Sequence, residues 1–88
     1  MKIKEAYGLK QVGEHFLVTR RDGERESILF ALNETGALLW KGLSEGLSEE
    51  ELTDVLCKEY EAQGDEVLLI QNDVREFLDQ LKNVGALA

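Results

Sequence analysis

Apolar and polar residues alternate in three short runs through the first third of the chain. Residues 7–12 follow a two-residue period and end at the turn pair Gly13-Glu14. Residues 15–19 are rich in aromatic and β-branched side chains, and Asp22-Gly23 after them is a strong hairpin signal, because glycine adopts positive φ at little cost. The third run covers residues 27–32. The pattern predicts a three-stranded antiparallel meander, which has two edges.

The period changes to that of a helix after Asn33, whose side-chain oxygen can accept a hydrogen bond from a free N–H of the first turn. Helix 1 is predicted from this cap to about Leu43. Ser48 and Glu51 match a capping box that starts helix 2. Asp65 is predicted to cap helix 3, and Gly85 is a natural residue just beyond its last turn.

Each predicted helix carries an apolar stripe that should face a common core. The stripes consist of Leu39, Trp40 and Leu43 in helix 1, Leu52, Val55, Leu56 and Tyr60 in helix 2, and Val67, Ile70, Val74, Phe77, Leu78 and Leu81 in helix 3. Trp40, Leu56, Phe77 and Leu81 should be buried together. The predicted fold class is therefore α+β, with a three-stranded antiparallel N-terminal meander followed by three helices, in one domain over residues 1–88.

The 88 residues leave room for one small core and little for a deep cleft. No apolar run reaches the ~18–20 residues of a membrane span, and the polar start of the chain does not resemble an export signal. The single cysteine, Cys57, excludes an internal disulfide. These features predict a cytoplasmic protein.

The net charge of −8 is concentrated in the later part of the chain. Residues 1–32 have a net charge of +1, with six Lys/Arg against five Asp/Glu, whereas residues 33–88 have −9, with four against thirteen. Affinity for nucleic acid depends largely on cationic side chains that neutralise phosphates. An acidic body therefore predicts no nucleic-acid partner and no anionic membrane partner.

No group of residues matches a catalytic or metal-binding pattern. His15 is the only histidine and starts a predicted strand, and Cys57 has no matched histidine motif near it, so we expect a surface position and a half-buried core position for them. The carboxylates at positions 49–51 are consecutive on a helix and point in different directions, which is typical of a solvated helix start. The sequence predicts a protein that is not an enzyme and holds no cofactor or metal.

Two binding functions remain after catalysis is set aside. Strands with three helices can form a DNA-binding winged helix-turn-helix, but the polar face of helix 3 has three acids against two bases. An extended peptide could instead add to the third strand, because residues 28–32 contain neither the charge nor the proline that usually guards an edge. The alternative is that this strand is central, or covered by helix 3, and only feeds the core.

The third strand also raises a question of register. In a strand paired on one side, alternate backbone N–H groups point to the neighbouring strand and the others point away. A regular strand here exposes the N–H groups either of Ile28 and Phe30 or of Leu29 and Ala31. The sequence alone leaves both open.

Four blocks of the chain lie at defined separations over about residues 7–87. The blocks are Leu32-Asn33-Glu34-Thr35-Gly36 with Leu39-Trp40, then Ser44-Glu45-Gly46 with Ser48, Glu51 and Leu52, then Leu56 with Tyr60, and finally Asp73-Val74, Phe77-Leu78, Leu81 and Gly85-Ala86-Leu87. In order and spacing these blocks resemble the PqqD-like family, the pyrroloquinoline quinone biosynthesis protein D type, and the first block matches its "LNxT[AG]xxxW" signature.

The resemblance implies a winged helix-turn-helix-like RiPP recognition element, a domain that binds the leader of a ribosomally made precursor peptide. In this family the leader pairs antiparallel with the third strand, packs against the third helix and is presented to a modifying enzyme, typically a radical S-adenosylmethionine (radical SAM) protein. The implied site residues are Ser27, Ile28, Leu29, Phe30, Ala31 and Leu32 on the strand, and Gln71, Val74, Arg75 and Leu78 on the helix. The alternative is a winged helix-turn-helix-like regulator or structural interaction domain, and an open edge also leaves a homodimer open.

Overall fold

Three antiparallel strands precede three helices in the computed structural model, which describes residues 1–88. The strands are β1 (Tyr7–Val12), β2 (His15–Asp22) and β3 (Arg25–Leu32), and the helices are α1 (Glu34–Ser44), α2 (Glu49–Glu59) and α3 (Asp65–Asn83). The sheet order is β1-β2-β3. The predicted fold class is confirmed.

Strands β2 and β3 are longer than the sequence pattern predicts. Asp22 pairs with Arg25, which leaves a two-residue loop of Gly23 and Glu24. Gly23 has φ +66°, a conformation that glycine adopts without steric cost. Because the loop is this tight, strand pairing continues through charged residues whose side chains are exposed, and the apolar pattern does not reveal them.

Two of the three predicted helix caps are confirmed. The Asn33 Oδ1 atom accepts a hydrogen bond of 2.8 Å from the Gly36 N–H. Ser48 Oγ accepts from the Glu51 N–H at 3.1 Å, and the Ser48 N–H donates to Glu51 Oε1 at 3.0 Å. These bonds satisfy donors that a helix start leaves free.

The predicted cap of α3 is wrong by one residue. Gly64 occupies the cap position with φ +59° and Asp65 is the first helical residue. No side chain caps the helix, but Glu66 Oε1 accepts a hydrogen bond of 3.1 Å from the Gln63 N–H. The positive φ of Gly64 lets the chain enter the helix directly, so that Asp65 places its charge in the positive first turn.

The core lies between one face of the sheet and the three helices. It consists of Val18, Leu39, Trp40, Leu43, Leu52, Leu56, Val74, Phe77, Leu78, Leu81 and Ala86. The predicted joint burial of Trp40, Leu56, Phe77 and Leu81 is confirmed. Tyr60 was expected in the stripe of α2 but is 53% exposed, because α2 ends at Glu59 and the tyrosine turns outward.

The two ends of the chain meet and hold α3 against the sheet. Gly85, with φ +77°, follows the last turn of α3, and the N–H of Ala86 donates to the Leu81 carbonyl at 2.9 Å, as in a Schellman motif. The Tyr7 hydroxyl at the start of β1 donates to the Val84 carbonyl at 2.7 Å. The position of α3 beside the sheet is thus fixed at the C-terminal end of the helix.

Candidate functional site

Strand β3 is the last strand of the sheet and has one unpaired edge. Its only strand partner is β2, and the one isolated bridge in the molecule joins Ile3 to Leu87, away from this edge. The expectation of an open edge is confirmed, and the alternative of a central strand is wrong. An open edge offers a row of free backbone donors and acceptors.

The pairing with β2 identifies which backbone groups of β3 face outward. The N–H of Arg21 donates to the Ala6 carbonyl at 2.7 Å, so Arg21 faces away from β3. Orientation alternates along β2, and Arg20 therefore faces its partner Ser27 on β3. The next pair, Thr19 with Ile28, has the opposite orientation. The backbone groups of Ile28 consequently point to the open edge.

A β-bulge at Leu29 interrupts this alternation. Thr19 pairs with Ile28 but the next residue of β2, Val18, pairs with Phe30, so Leu29 is an extra residue on β3. Beyond the bulge, Phe30 faces β2 and Ala31 faces the open edge. Neither regular register expected from the sequence is correct, because the outward groups belong to Ile28 and Ala31.

The bulge also changes where the side chains of β3 lie. Leu29 and Phe30 are both half-buried and pack against the core, whereas two consecutive residues of a regular strand would point to opposite faces. Ile28, in contrast, is 64% exposed. The open edge is thus divided into two short segments, one around Ile28 and one around Ala31.

A groove of about 340 Å³ lies where the second segment meets the helices. Its walls come from the end of β3, the start of α1 and the middle of α3. Close packing of these elements depends on Gly36, since a Cβ atom there would lie 3.0 Å from the Cβ of Leu32. The lining residues are Ala31, Leu32, Asn33, Thr35, Gly36, Leu39, Asp73, Glu76, Phe77 and Gln80.

The groove is acidic and is lined in part by apolar side chains. Asp73 and Glu76 are its only charged lining residues, while Leu32, Leu39 and Phe77 line it with carbon. The two ion pairs of the molecule, Lys10–Glu26 at 3.6 Å and Arg75–Glu49 at 3.8 Å, do not involve these carboxylates. The groove therefore presents two negative charges without a cationic partner.

The helix residues proposed from the resemblance do not line this groove. Val74 and Leu78 are 0% exposed and belong to the core. Gln71 and Arg75 line a different depression, between α2 and α3. The α3 residues beside β3 are instead Asp73, Glu76, Phe77 and Gln80.

The sequence contains a partial signal for the helix face that lines this groove. Positions 73, 76, 77 and 80 follow the helical spacing i, i+3, i+4 and i+7; Phe77 lies in the apolar stripe, and the other three flank it on one side. Gln71 and Arg75 lie on the other flank. Periodicity identifies both flanks but does not tell which one faces the sheet.

A second depression of about 260 Å³ continues from the groove and shares Thr35 and Asp73 with it. Its other lining residues are Leu56, Tyr60, Ala62, Glu66, Leu69 and Ile70. The Tyr60 hydroxyl and the Thr35 Oγ1 atom are hydrogen-bonded at 2.7 Å and form the boundary between α1 and α2. Leu69 is 64% exposed here, so this part of the surface is more apolar than the groove.

The two residues considered for catalysis lie away from the groove. His15 is exposed at the start of β2, and Cys57 is half-buried on α2. No three histidine, cysteine, aspartate or glutamate side chains are grouped so that they could hold a metal ion. None of the helices combines the length and apolarity needed to cross a membrane.

The meander, the three helices and the unpaired third strand beside α3 define an α+β domain of the winged helix-turn-helix-like class. A family model described as coenzyme PQQ synthesis protein D (PqqD) matches residues 14–87. The chain belongs to the PqqD family, as its sequence blocks predict.

A solved structure supports the same relationship over almost the whole chain. The chain is similar to TbiB1, seen in complex with the TbiA(beta) leader peptide, with 28% sequence identity and a TM-score of 0.77. The similarity covers 99% of this chain and 94% of TbiB1. No curated protein sequence gives a significant match.

Proposed function

We propose that this protein binds the leader segment of a ribosomally made precursor peptide by adding it to β3 as a fourth strand. The observation that carries the proposal is the open edge of β3, which borders a groove against α3. Backbone pairing at such an edge supplies affinity, and the adjoining side-chain sites supply specificity. The similarity to TbiB1, which has a leader peptide as its partner, supports this type of ligand.

The proposed contacts follow from the geometry of the edge. The outward backbone groups of Ile28 and Ala31 pair with the peptide, within the strand segment formed by residues 27–32. Side chains of the peptide then enter the groove and meet Leu32, Phe77 and the polar residues of α3 beside it. Val74 and Leu78 act on this site only through the packing of α3, and Gln71 and Arg75 lie outside it.

We further propose that the domain is not a catalyst and presents the bound peptide to a modifying enzyme, which in this family is typically a radical SAM protein. Neither His15 nor Cys57 lines the groove, so no imidazole or thiol lies beside the proposed peptide. A groove beside an unpaired strand is suited to holding an extended peptide while another protein acts on it.

Titration calorimetry tests the proposal with a synthetic peptide that spans the leader of a short precursor encoded beside the gene. Binding in the micromolar range or tighter is expected, and replacing Ala31 by proline should abolish it. Replacing Ala31 by valine is the matched control, because valine changes the side chain but keeps the outward N–H. Absence of heat at high micromolar peptide, or equal binding by the proline variant, contradicts the proposal.

A further inference from the structure

We infer that the peptide taken up by this groove carries a lysine or arginine, which lies over Asp73 and Glu76. The inference rests on the proposed function and names the chemistry of the ligand. It follows from the charge of the groove, from the apolar side chains that line part of it, and from the direction in which the residues of an added strand point.

The charge of the groove favours a cation. Asp73 and Glu76 are three residues apart on α3 and therefore neighbours on one helix face. No cation lines the groove, and the nearest basic residue of α3 in sequence, Arg75, lies on the other flank, where it pairs with Glu49. A peptide that covers the groove with apolar groups alone would remove water from two carboxylates without replacing it, which is costly.

The apolar part of the lining favours a cation on a long stem. Leu32 and Phe77 line the groove with carbon atoms, and the carboxylates of Asp73 and Glu76 are beside them. Lysine and arginine bury their methylene groups along such a surface while the charged head remains at a polar site. An acidic peptide residue would be repelled at the same position, so the groove discriminates by charge as well as by fit.

The sheet register indicates which peptide residue carries this cation. Phe30 packs on the core, so Ala31 points to the opposite face of the sheet. A peptide residue directly across from Ala31 points to that same outer face, and its neighbours point towards α3. In an antiparallel peptide the preceding residue lies across from Leu32, at the groove. The basic residue should therefore come immediately before the residue that pairs with Ala31.

A library of random 12-residue peptides, panned separately on the wild type and on the D73K/E76K variant, tests the inference without knowledge of the natural leader. The wild type should enrich peptides with a lysine or arginine at one fixed position of a strand-like run. The variant should enrich aspartate or glutamate at that position. Circular dichroism of both proteins before panning verifies that the exposed substitutions leave the fold intact.

A matched pair of single variants separates a local contact from general charge. Glu76→Lys and Asp79→Lys change the net charge equally, and both residues are exposed on α3, but only Glu76 lines the groove. For a peptide selected on the wild type, Glu76→Lys should weaken binding about tenfold, since it replaces attraction by repulsion in a partly desolvated site. Asp79→Lys should change binding by less than about twofold.

The results distinguish this inference from the proposed function. If no peptide is enriched, or if selected peptides bind the Ala31→Pro variant normally, both are wrong. If selected peptides require the Ala31 N–H but show no basic preference, the strand addition stands and the charge inference fails. Equal weakening by Glu76→Lys and Asp79→Lys also overturns the inference, because the effect would then be general electrostatics.

Discussion

Proline substitutions along β3 test the bulge and the open edge together. Proline removes one backbone N–H and is tolerated in a strand mainly where that group faces away from the partner strand. The pairing with β2 places the N–H groups of Ile28 and Ala31 at the open edge and that of Phe30 towards Val18. We therefore expect Ile28→Pro and Ala31→Pro to fold and Phe30→Pro to be severely destabilised.

The magnitude follows from what each substitution removes. Phe30→Pro leaves the carbonyl that faces it on β2 without a donor, at a cost of about 1–3 kcal/mol, and it removes a half-buried aromatic side chain, which contributes part of the roughly 1.5–3 kcal/mol of a fully buried one. A domain of 88 residues has a free energy of unfolding of roughly 4–13 kcal/mol, at about 0.05–0.15 kcal/mol per residue. The loss at Phe30 is thus a large part of the total. At Ile28 and Ala31 no hydrogen bond to β2 is lost, so the only cost is that of adjusting the backbone to the φ that proline requires.

Urea denaturation, monitored by far-ultraviolet circular dichroism, measures the free energy of unfolding of the three variants. A phenylalanine-to-alanine variant at position 30 is the control that separates the lost side chain from the lost N–H. The bulge predicts that positions 28 and 31, which have opposite parity, behave alike. If positions 28 and 30 behaved alike and differed from 31, β3 would be a regular strand and our assignment of the outward groups would be refuted.

Three further predictions concern the core, a cap and the ligand. Phe77→Ala should lower the free energy of unfolding by about 3–5 kcal/mol, because the ring is 6% exposed; an unchanged denaturation midpoint would contradict its place in the core. Asn33→Ala should cost about 1 kcal/mol in the same assay, whereas Asn33→Ser should retain most of the cap. Peptides selected on the wild type should bind several times more weakly at 0.5 M than at 0.05 M salt when the affinity is measured by calorimetry. An affinity that does not change with salt would contradict a bound cation.

Features that depend on residues close together in the chain could be predicted from the sequence. The caps at Asn33 and Ser48 and the glycine after α3 involve hydrogen bonds across three to five residues. The apolar stripes also follow from local periodicity, and most of their residues lie in the core, although Val55 and Val67 are half-buried outside it. The burial of Tyr60 and the cap at Asp65 are wrongly predicted, and both residues lie at helix ends, where one residue of difference changes the direction of a side chain.

The candidate site could be predicted only in part. The sequence identifies β3 as an unguarded strand and α3 as the neighbouring helix, and the family resemblance assigns a peptide ligand to them. It does not identify the outward groups of β3, because the bulge at Leu29 arises from pairing with β2 and leaves no mark in the apolar pattern. The open edge itself also becomes certain only with the order of the strands.

The face of α3 that meets the sheet was decided by the tertiary structure. Both flanks of its apolar stripe are polar. Periodicity places Asp73 and Glu76 on one flank and Gln71 and Arg75 on the other, and it does not show which flank faces the sheet. Packing against α1, α2 and the sheet, together with the contacts of Tyr7 and Gly85 at its end, sets the rotation of the helix. Local sequence thus determined which elements form and which residues they bury, whereas the groove and its charge depend on contacts between elements far apart in the chain, which no local pattern encodes.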